Sequence, residues 1–375
     1  MKASRTSRRR RRAGLVGGLL VVVGLIVAAV VGTGSAAPRK TDASPLVAFL
    51  LPENVTVRWE SNDKPLFVKT LKKLVPGVKI DVLNALNDPA KQQSQAEAEL
   101  TKGAKVIVAA PIDQKAFAVA ARKAAAQKVP VVAYDRLIRN AKIAAYDSFD
   151  GVAVGKAQGK WLASHTKKGA RIAIINGSFT DDNAHLFQRG YLSVLNPLFN
   201  RGARVRVGPK AGTWTDRWNP PTAQREMEQL LTKNNNRIDG VLSANDGMAG
   251  GIISALKAVG KAGKVPVTGQ DASVEGLQRI VIGTQGMTVL KDFRLQAQAA
   301  ARITAALLKG GKCSASLCTK KVSNGAGSVP SVILPVKAID KSNITPLVKG
   351  NWLSAVFGTN RAKFCRGLPK TGPCK

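Results

Sequence analysis

Short apolar runs alternate with stretches of helical periodicity along most of this chain. Leu46 to Leu51 is a continuous apolar run, and Lys64 to Leu74 follows with helical spacing. Val78 to Leu83 is the next run, then a Gln- and Ala-rich helix from about Pro89 to Lys102. Val106 to Ala110 precedes a helix ending at Gln127, and Val129 to Ala133 closes the series. β-Branched runs separated by helices of roughly 10–15 residues predict βαβ units and a parallel sheet.

The same rhythm restarts after Phe149. Strands are expected at Ile172 to Ile175, Val205 to Val207, Gly240 to Ser243 and Val265 to Thr268. Helices are expected near 151–166, 183–196, 222–234, 247–259 and 273–281. One architecture used twice predicts an α/β fold of two doubly wound parallel-sheet lobes. Tyr146 to Phe149, Gly286 to Leu290 and Ser331 to Pro335 are expected to cross between them as a three-strand hinge, with a long Ala-rich helix from about Asp292 to Leu308. The expected division is 45–147 plus about 291–330 for the first lobe, and 148–290 plus about 331–347 for the second. Residues 348–375 are expected to be a basic, cysteine-containing tail.

Charge changes the picture at the ends. Of 375 residues, 58 are Lys or Arg and 23 are Asp or Glu, a formal net charge of +35. Residues 1–40 and 311–375 hold a single acid, Asp340, and supply more than half of the excess. Arg8 to Arg12, the apolar stretch Ala13 to Val31 and the small residues Gly34 to Ala37 make 1–37 an expected export signal or an uncleaved N-terminal anchor. Residues 38–44 follow as a linker. Either form places the body outside the cytoplasm. Lysines and arginines scattered singly elsewhere suit an anionic envelope polymer as a partner better than nucleic acid, and a monomer is expected.

An oxidising compartment also accounts for the four cysteines. Cys313 with Cys318 and Cys365 with Cys374 are spaced to close two small loops, one of three possible connectivities; four free thiols are the alternative. With two histidines and no CxxC spacing, no metal and no cofactor are expected.

Ligands of open α/β sheets bind beyond the carboxyl ends of the strands. Those ends here carry Arg58-Trp59, Asp135-Arg136, the run Asp181-Asp182-Asn183, Trp214 and Trp218, Asn245-Asp246, Gln270-Asp271 and Lys291. Sugar hydroxyls both donate and accept, so carboxylates, amides and cationic donors match them, and an indole suits the apolar face of a pyranose. The alternative for each Asp or Asn is a helix cap or a turn, and for each Trp simple packing.

Eight short motifs occur in order between about Leu46 and Leu347: Arg58-Trp59, Ala133 to Arg136, Ser148 to Asp150, Asp182 to Ala184, Asn234 to Asn236, Ala244 to Asp246, Gly269 to Ala272, and Gly283 to Gln285 with Met287-Thr288. In these the chain resembles the periplasmic sugar-binding proteins of ABC importers, and within them most the D-xylose-binding proteins. The resemblance implies two lobes closing on a monosaccharide, no catalysis, and an importer permease as partner. It implies Arg58 and Trp59 as a first-loop pair, Asp135 and Arg136 on the ring hydroxyls, and Asn183 as an amide from the second lobe. It further implies Trp218 as a second stacking indole and Asn245, Asp271 and Lys291 as the remaining hydrogen bonders. Asp182 stands where that family more often has Asn, and the cysteines and basicity depart from its pattern.

Other classes fit less well. Gly151 to Lys156 lacks the spacing of a phosphate-binding loop, and no GxSxG elbow is present. The acids alternate with Asn, Arg and Trp instead of forming the facing pair a glycosidase needs. A membrane-anchored sugar sensor using the same pocket is the alternative to transport.

Overall fold

Leu46–Leu51 (β1) is buried along nearly its whole length, which only an interior strand of a sheet covered on both faces allows. The computed structural model describes residues 44–375. The expected export segment, and all but the last residue of the linker after it, lie outside them. Among the described residues no helix is long and apolar enough to cross a membrane.

In the first sheet β1 pairs in parallel with Lys79–Asn84 (β2) and Val106–Ala109 (β3). Val131–Tyr134 (β4) and Ala145–Phe149 (β5) continue the parallel order. The helices Lys64–Leu74 (α1), Pro89–Thr101 (α2) and Ala118–Ala126 (α3) connect these strands. Phe67 and Leu71 of α1 bury with β1 and β3 residues in one apolar cluster, and Ala96, Leu100 and Ala121 of α2 and α3 in another.

The second sheet centres on Arg171–Asn176 (β6), flanked in parallel by Val205–Val207 (β7), Thr213–Trp214 (β8) and Gly240–Ser243 (β9). Its helices are Gly151–Ser164 (α4), Asp182–Asn200 (α5), Pro220–Lys233 (α6), Asp246–Ala258 (α7) and Val274–Ile282 (α8). Helices α4 and α5 cross at glycines: a Cβ on Gly155 would lie 1.9 Å from the Phe187 carbonyl oxygen, and one on Gly190 would lie 2.3 Å from that of Val152. The expected strand at 265–268 is reduced to one bridge, Val241 to Val267, because Pro266 has no N–H to give the ladder. It keeps its place beside β9 through the bonds from the Val241 amide to the Pro266 carbonyl, 2.9 Å, and from the Thr268 amide to the Val241 carbonyl, 3.1 Å.

The chain passes between the sheets three times. It leaves the first sheet after β5 and returns after Met287–Leu290 (β10) into the helix Phe293–Leu308 (α9). After the hairpin of Lys320–Ser323 (β11) and Ser328–Leu334 (β12), it crosses again to Lys337–Asp340 (β13), which pairs with β10. Strand β12 runs parallel to β5 as far as Leu334, so it belongs to the first sheet. This corrects the expected handover near 331: the third crossing is confined to Pro335 and Val336, because ladder bonds hold everything before them.

The expected tail is also corrected. Residues after 343 form the short helices Ile344–Lys349 (α10), Trp352–Phe357 (α11) and Arg361–Phe364 (α12). Trp352, Leu353, Val356 and Phe364 are buried in one cluster with Phe149, Leu277, Ile280 and Phe293 at the hinge. Asn62 of the first lobe donates to the Val356 carbonyl, and Gln278 of the second to that of Phe364 at 2.8 Å. The segment is therefore a strap tied to both lobes. Disulfides join Cys313 to Cys318 and Cys365 to Cys374, with Cα separations of 5.9 and 5.4 Å.

Candidate functional site

Arg58, Trp59, Asp135, Arg136, Asn183, Trp218, Asn245, Asp271 and Lys291 all line one space between the lobes. The first four stand beyond β1 and β4 of the first lobe. The other five stand at the start of α5, after β8, after β9, beyond Thr268 and at the end of β10. The sequence alone suggested that the acids could be helix caps. Asn245 is one, accepting from the Met248 amide at 2.9 Å, and Asp181 caps α5. Asp135 and Asp271 cap nothing among the described residues.

Those two acids instead adopt left-handed backbone conformations, φ 61° and 94°. A non-glycine residue there is strained and is held by its surroundings. The holding bonds are visible: the Asp135 amide donates to Asp147 O of β5 at 2.7 Å, and the Asp271 amide to Val289 O of β10 at 2.9 Å. Both β5 and β10 lead directly into the crossings. Each lobe therefore aims one acid into the cleft from a strand that enters the hinge.

The charges interlock. Arg58 makes a bidentate pair with Asp63 (2.8 and 2.6 Å), reaches Asp135 at 2.9 Å and Gln296 at 2.7 Å, and lies 3.9 Å from Asp271. Lys291 sits 2.9 Å from Asp271 and 3.8 Å from Asp135. Burial would raise the pKa of Asp135, but Arg58, Lys291 and Arg136 outweigh it and hold the carboxyl well below the usual range. Asp246 lacks such company; burial pushes it up to about 7 despite Arg279 and the bond from Gln285.

Both indoles are anchored by their polar edges. Trp59 Nε1 donates to Glu53 at 2.5 Å, and Trp218 Nε1 to Asp181 at 3.1 Å. Arg136 lies between these acids, 2.8 Å from Asp181 and 3.5 Å from Glu53, and so links the lobes. Asn183 Nδ2 crosses the same seam to Asp135 Oδ1 and to its carbonyl, both at 3.1 Å. Asp182, the departure noted in the sequence, is buried and accepts from Arg139 Nε at 3.0 Å, a further bond across the cleft.

Two acceptors here make no hydrogen bond. Asp271 Oδ1 and Gln270 Oε1 are buried with no hydrogen-bond partner, the Lys291 ammonium being near the former but not aligned as a donor. The space inside the nine residues is about 20 Å³. It adjoins a cavity of about 200 Å³ that shares Thr56, Arg58, Trp218, Asn245 and Asp271, with Phe357 of the strap in its wall. Buried acceptors, cationic donors and two fixed ring faces suit a small uncharged molecule rich in hydroxyls. Sequence reasoning missed Glu53, Asp63, Asp181 and Gln296 as the groups holding these side chains. Asp63 was legible as an acid one π-turn after Arg58; Gln296 was hidden in an Ala-rich helix.

The position of Trp218 depends on Gly177, where a Cβ would lie 2.1 Å from the indole. Gly177→Ala should displace the ring and destabilise the chain by about 1–3 kcal/mol in a denaturant melt. A Trp218→Ala background should relieve most of that loss. Equal losses in both backgrounds would show that Gly177 acts through something other than the indole.

Residues 47–312 match the family model described as a periplasmic binding protein domain. The D-xylose-binding periplasmic protein of Escherichia coli (strain K12) is 38% identical over 291 residues, 78% of this chain and 85% of its own. The multiple sugar-binding periplasmic receptor ChvE of Rhizobium radiobacter is 35% identical over 351 residues, 89% of this chain and 98% of its own. Among solved structures, a carbohydrate transporter solute binding protein from Chloroflexus aurantiacus, in complex with D-glucose, superposes with a TM-score of 0.76. It is 30% identical and covers 82% of this chain and 96% of its own. Motifs, two-lobed topology and likeness agree, and the chain belongs to the periplasmic binding protein family.

Proposed function

We propose that this chain is an extracytoplasmic sugar-binding protein that captures D-xylose or a similar aldopyranose between its lobes and delivers it to the permease of an ABC importer. It is a binding protein and not an enzyme, as its family and relatives are. The observation that carries the reading is the convergence of nine polar and aromatic side chains from both lobes on one space, with Gln270 Oε1 left as a free acceptor and Asp271 Oδ1 engaged only by the Lys291 ion pair. A pyranose supplies hydroxyl donors for these acceptors and takes hydrogen bonds from Arg58, Arg136 and Lys291. Its apolar faces suit Trp59 and Trp218. Because the ion pairs that close the seam also fill it, the sugar enters by hinge opening and replaces some of them on closure. The adjoining cavity gives a hexose room for its extra carbon. No feature of the described residues favours the sensor reading over delivery.

A thermal-shift panel of pentoses and hexoses should identify at least one aldopyranose bound at micromolar or tighter affinity. Protection of about 2.7 kcal/mol is expected at a hundredfold excess over Kd. No shift with any member would reject the reading.

Asp135→Asn and Asp271→Asn should each weaken that sugar about ten- to hundredfold, the loss of a charge-assisted hydrogen bond in a desolvated cleft. Asp271→Asn should lower the apo melting temperature little, because Lys291 keeps Asp135, whereas Asp135→Asn should lower it measurably, because Arg58 and Lys291 lose the carboxylate they hold ionised. Calorimetry showing normal affinity with a much less stable apo protein would assign both acids to folding alone.

A further inference from the structure

The amino ends of the second lobe's strands lie opposite the ligand cleft, and the loops there are basic. Lys167 and Lys168 lie between α4 and β6, Arg201 between α5 and β7, Arg237 between α6 and β9, and Lys261 and Lys264 beyond α7. Lys167, Lys168, Lys261 and Lys264, with His165, line a groove of about 730 Å³. Its one acid, Asp239, is engaged by the Arg171 backbone amide at 2.9 Å. None of the four lysines has a salt-bridge partner among the described residues. In the first lobe Lys102 pairs with Asp81 and Glu99 and Lys123 with Glu97, while Lys69, Lys72, Lys73 and Lys79 are equally without a salt-bridge partner among the described residues but do not share one groove.

Lysines in the last turn of a helix, such as Lys233 and Lys257, are accounted for by the helix dipole. The four groove lysines stand past the helix ends, where that effect has fallen away, and they make no side-chain hydrogen bonds to the exposed carbonyls there. Cations lining one groove sum their potentials, and the one acid among them, Asp239, offsets a single charge of the four. A groove, unlike a flat basic face, admits a chain and excludes a bilayer from its floor.

We propose that this groove docks a linear phosphodiester polyanion of the cell envelope. The location leaves the cleft and the three hinge crossings unobstructed, so a docked chain can still open and close on its ligand. Binding of this kind displaces condensed counterions, so it weakens steeply with salt.

The test uses the full chain, with poly(glycerol phosphate) and phosphatidylglycerol vesicles as probes at physiological ionic strength. Two variants each remove four positive charges. One changes Lys167, Lys168, Lys261 and Lys264 to Gln, and the other changes Lys69, Lys72, Lys73 and Lys79 of the first lobe to Gln. The groove variant should bind the polymer about tenfold or more weakly with a shallower salt dependence, the control variant nearly as well as the parent. Equal losses in both variants, no polymer binding by the parent, or tighter binding to vesicles than to polymer would each overturn the proposal. Sugar affinity should be unchanged in the groove variant, so a failure here leaves the reading of the cleft standing.

Discussion

Everything in the cleft depends on one buried carboxylate, that of Asp135. Arg58, Lys291 and Asn183 converge on it from the first lobe, the hinge and the second lobe. A charge taken out of water is costly unless it is paired and fully hydrogen-bonded. Asp135 meets that condition only when parts of both lobes are within reach. Arg58 faces the same constraint and meets it with Asp63, Asp135 and Asp271. Closure of the seam and satisfaction of these charges are therefore one event. Such a cluster adds little to net stability but is selective about its partners. A molecule with hydroxyls at the right spacing can stand in for an ion pair, where an apolar one leaves charges bare.

The fold delivers this cluster through short mechanical links. Asp135 and Asp271 are each strained at their own backbone and bonded to a strand entering the hinge, so their separation follows the hinge angle directly. The indoles are fixed by Glu53 and Asp181, and Arg136 ties those two acids together across the seam. The strap adds a second tie between the lobes at the hinge, through Asn62 and Gln278, and brings Phe357 to the wall of the adjoining cavity. Motion of the lobes thus has to break a small set of named polar contacts at the cleft, while an apolar cluster joins both lobes at the hinge.

Much of this was legible in the sequence. Parallel strands buried on both faces read as unbroken apolar runs, and residues that follow such runs are the ones a doubly wound sheet presents to a ligand. The nine residues that the resemblance implies line one space, whereas Trp214, also read at a strand end, packs against Phe179 and His185 outside it. What stayed hidden was long-range. Asn62 meeting Val356, Arg58 meeting Gln296 and Asp182 meeting Arg139 depend on how the lobes and the strap come together, and no local pattern encodes it. The third crossing was placed a few residues early because an apolar run continues through Ser331 to Leu334 whether it crosses or pairs; only the ladder to β5 decides. The terminal helices were read as a tail because they are short and basic, while their buried face is six residues spread over positions 344–364.

The central claim is that acids from opposite lobes grip one molecule, and a double-mutant cycle on sugar affinity tests it most directly. Asp135→Asn, Asp271→Asn and the double variant would be titrated calorimetrically with the aldopyranose bound by the parent. If both acids hold the same ligand through closure, losing one loosens the grip of the other. The double variant should then lose less than the sum of the singles, with a coupling of about 1 kcal/mol or more. Losses that add to within about 0.5 kcal/mol would mean that the two acids act independently, and would contradict a site shared between the lobes.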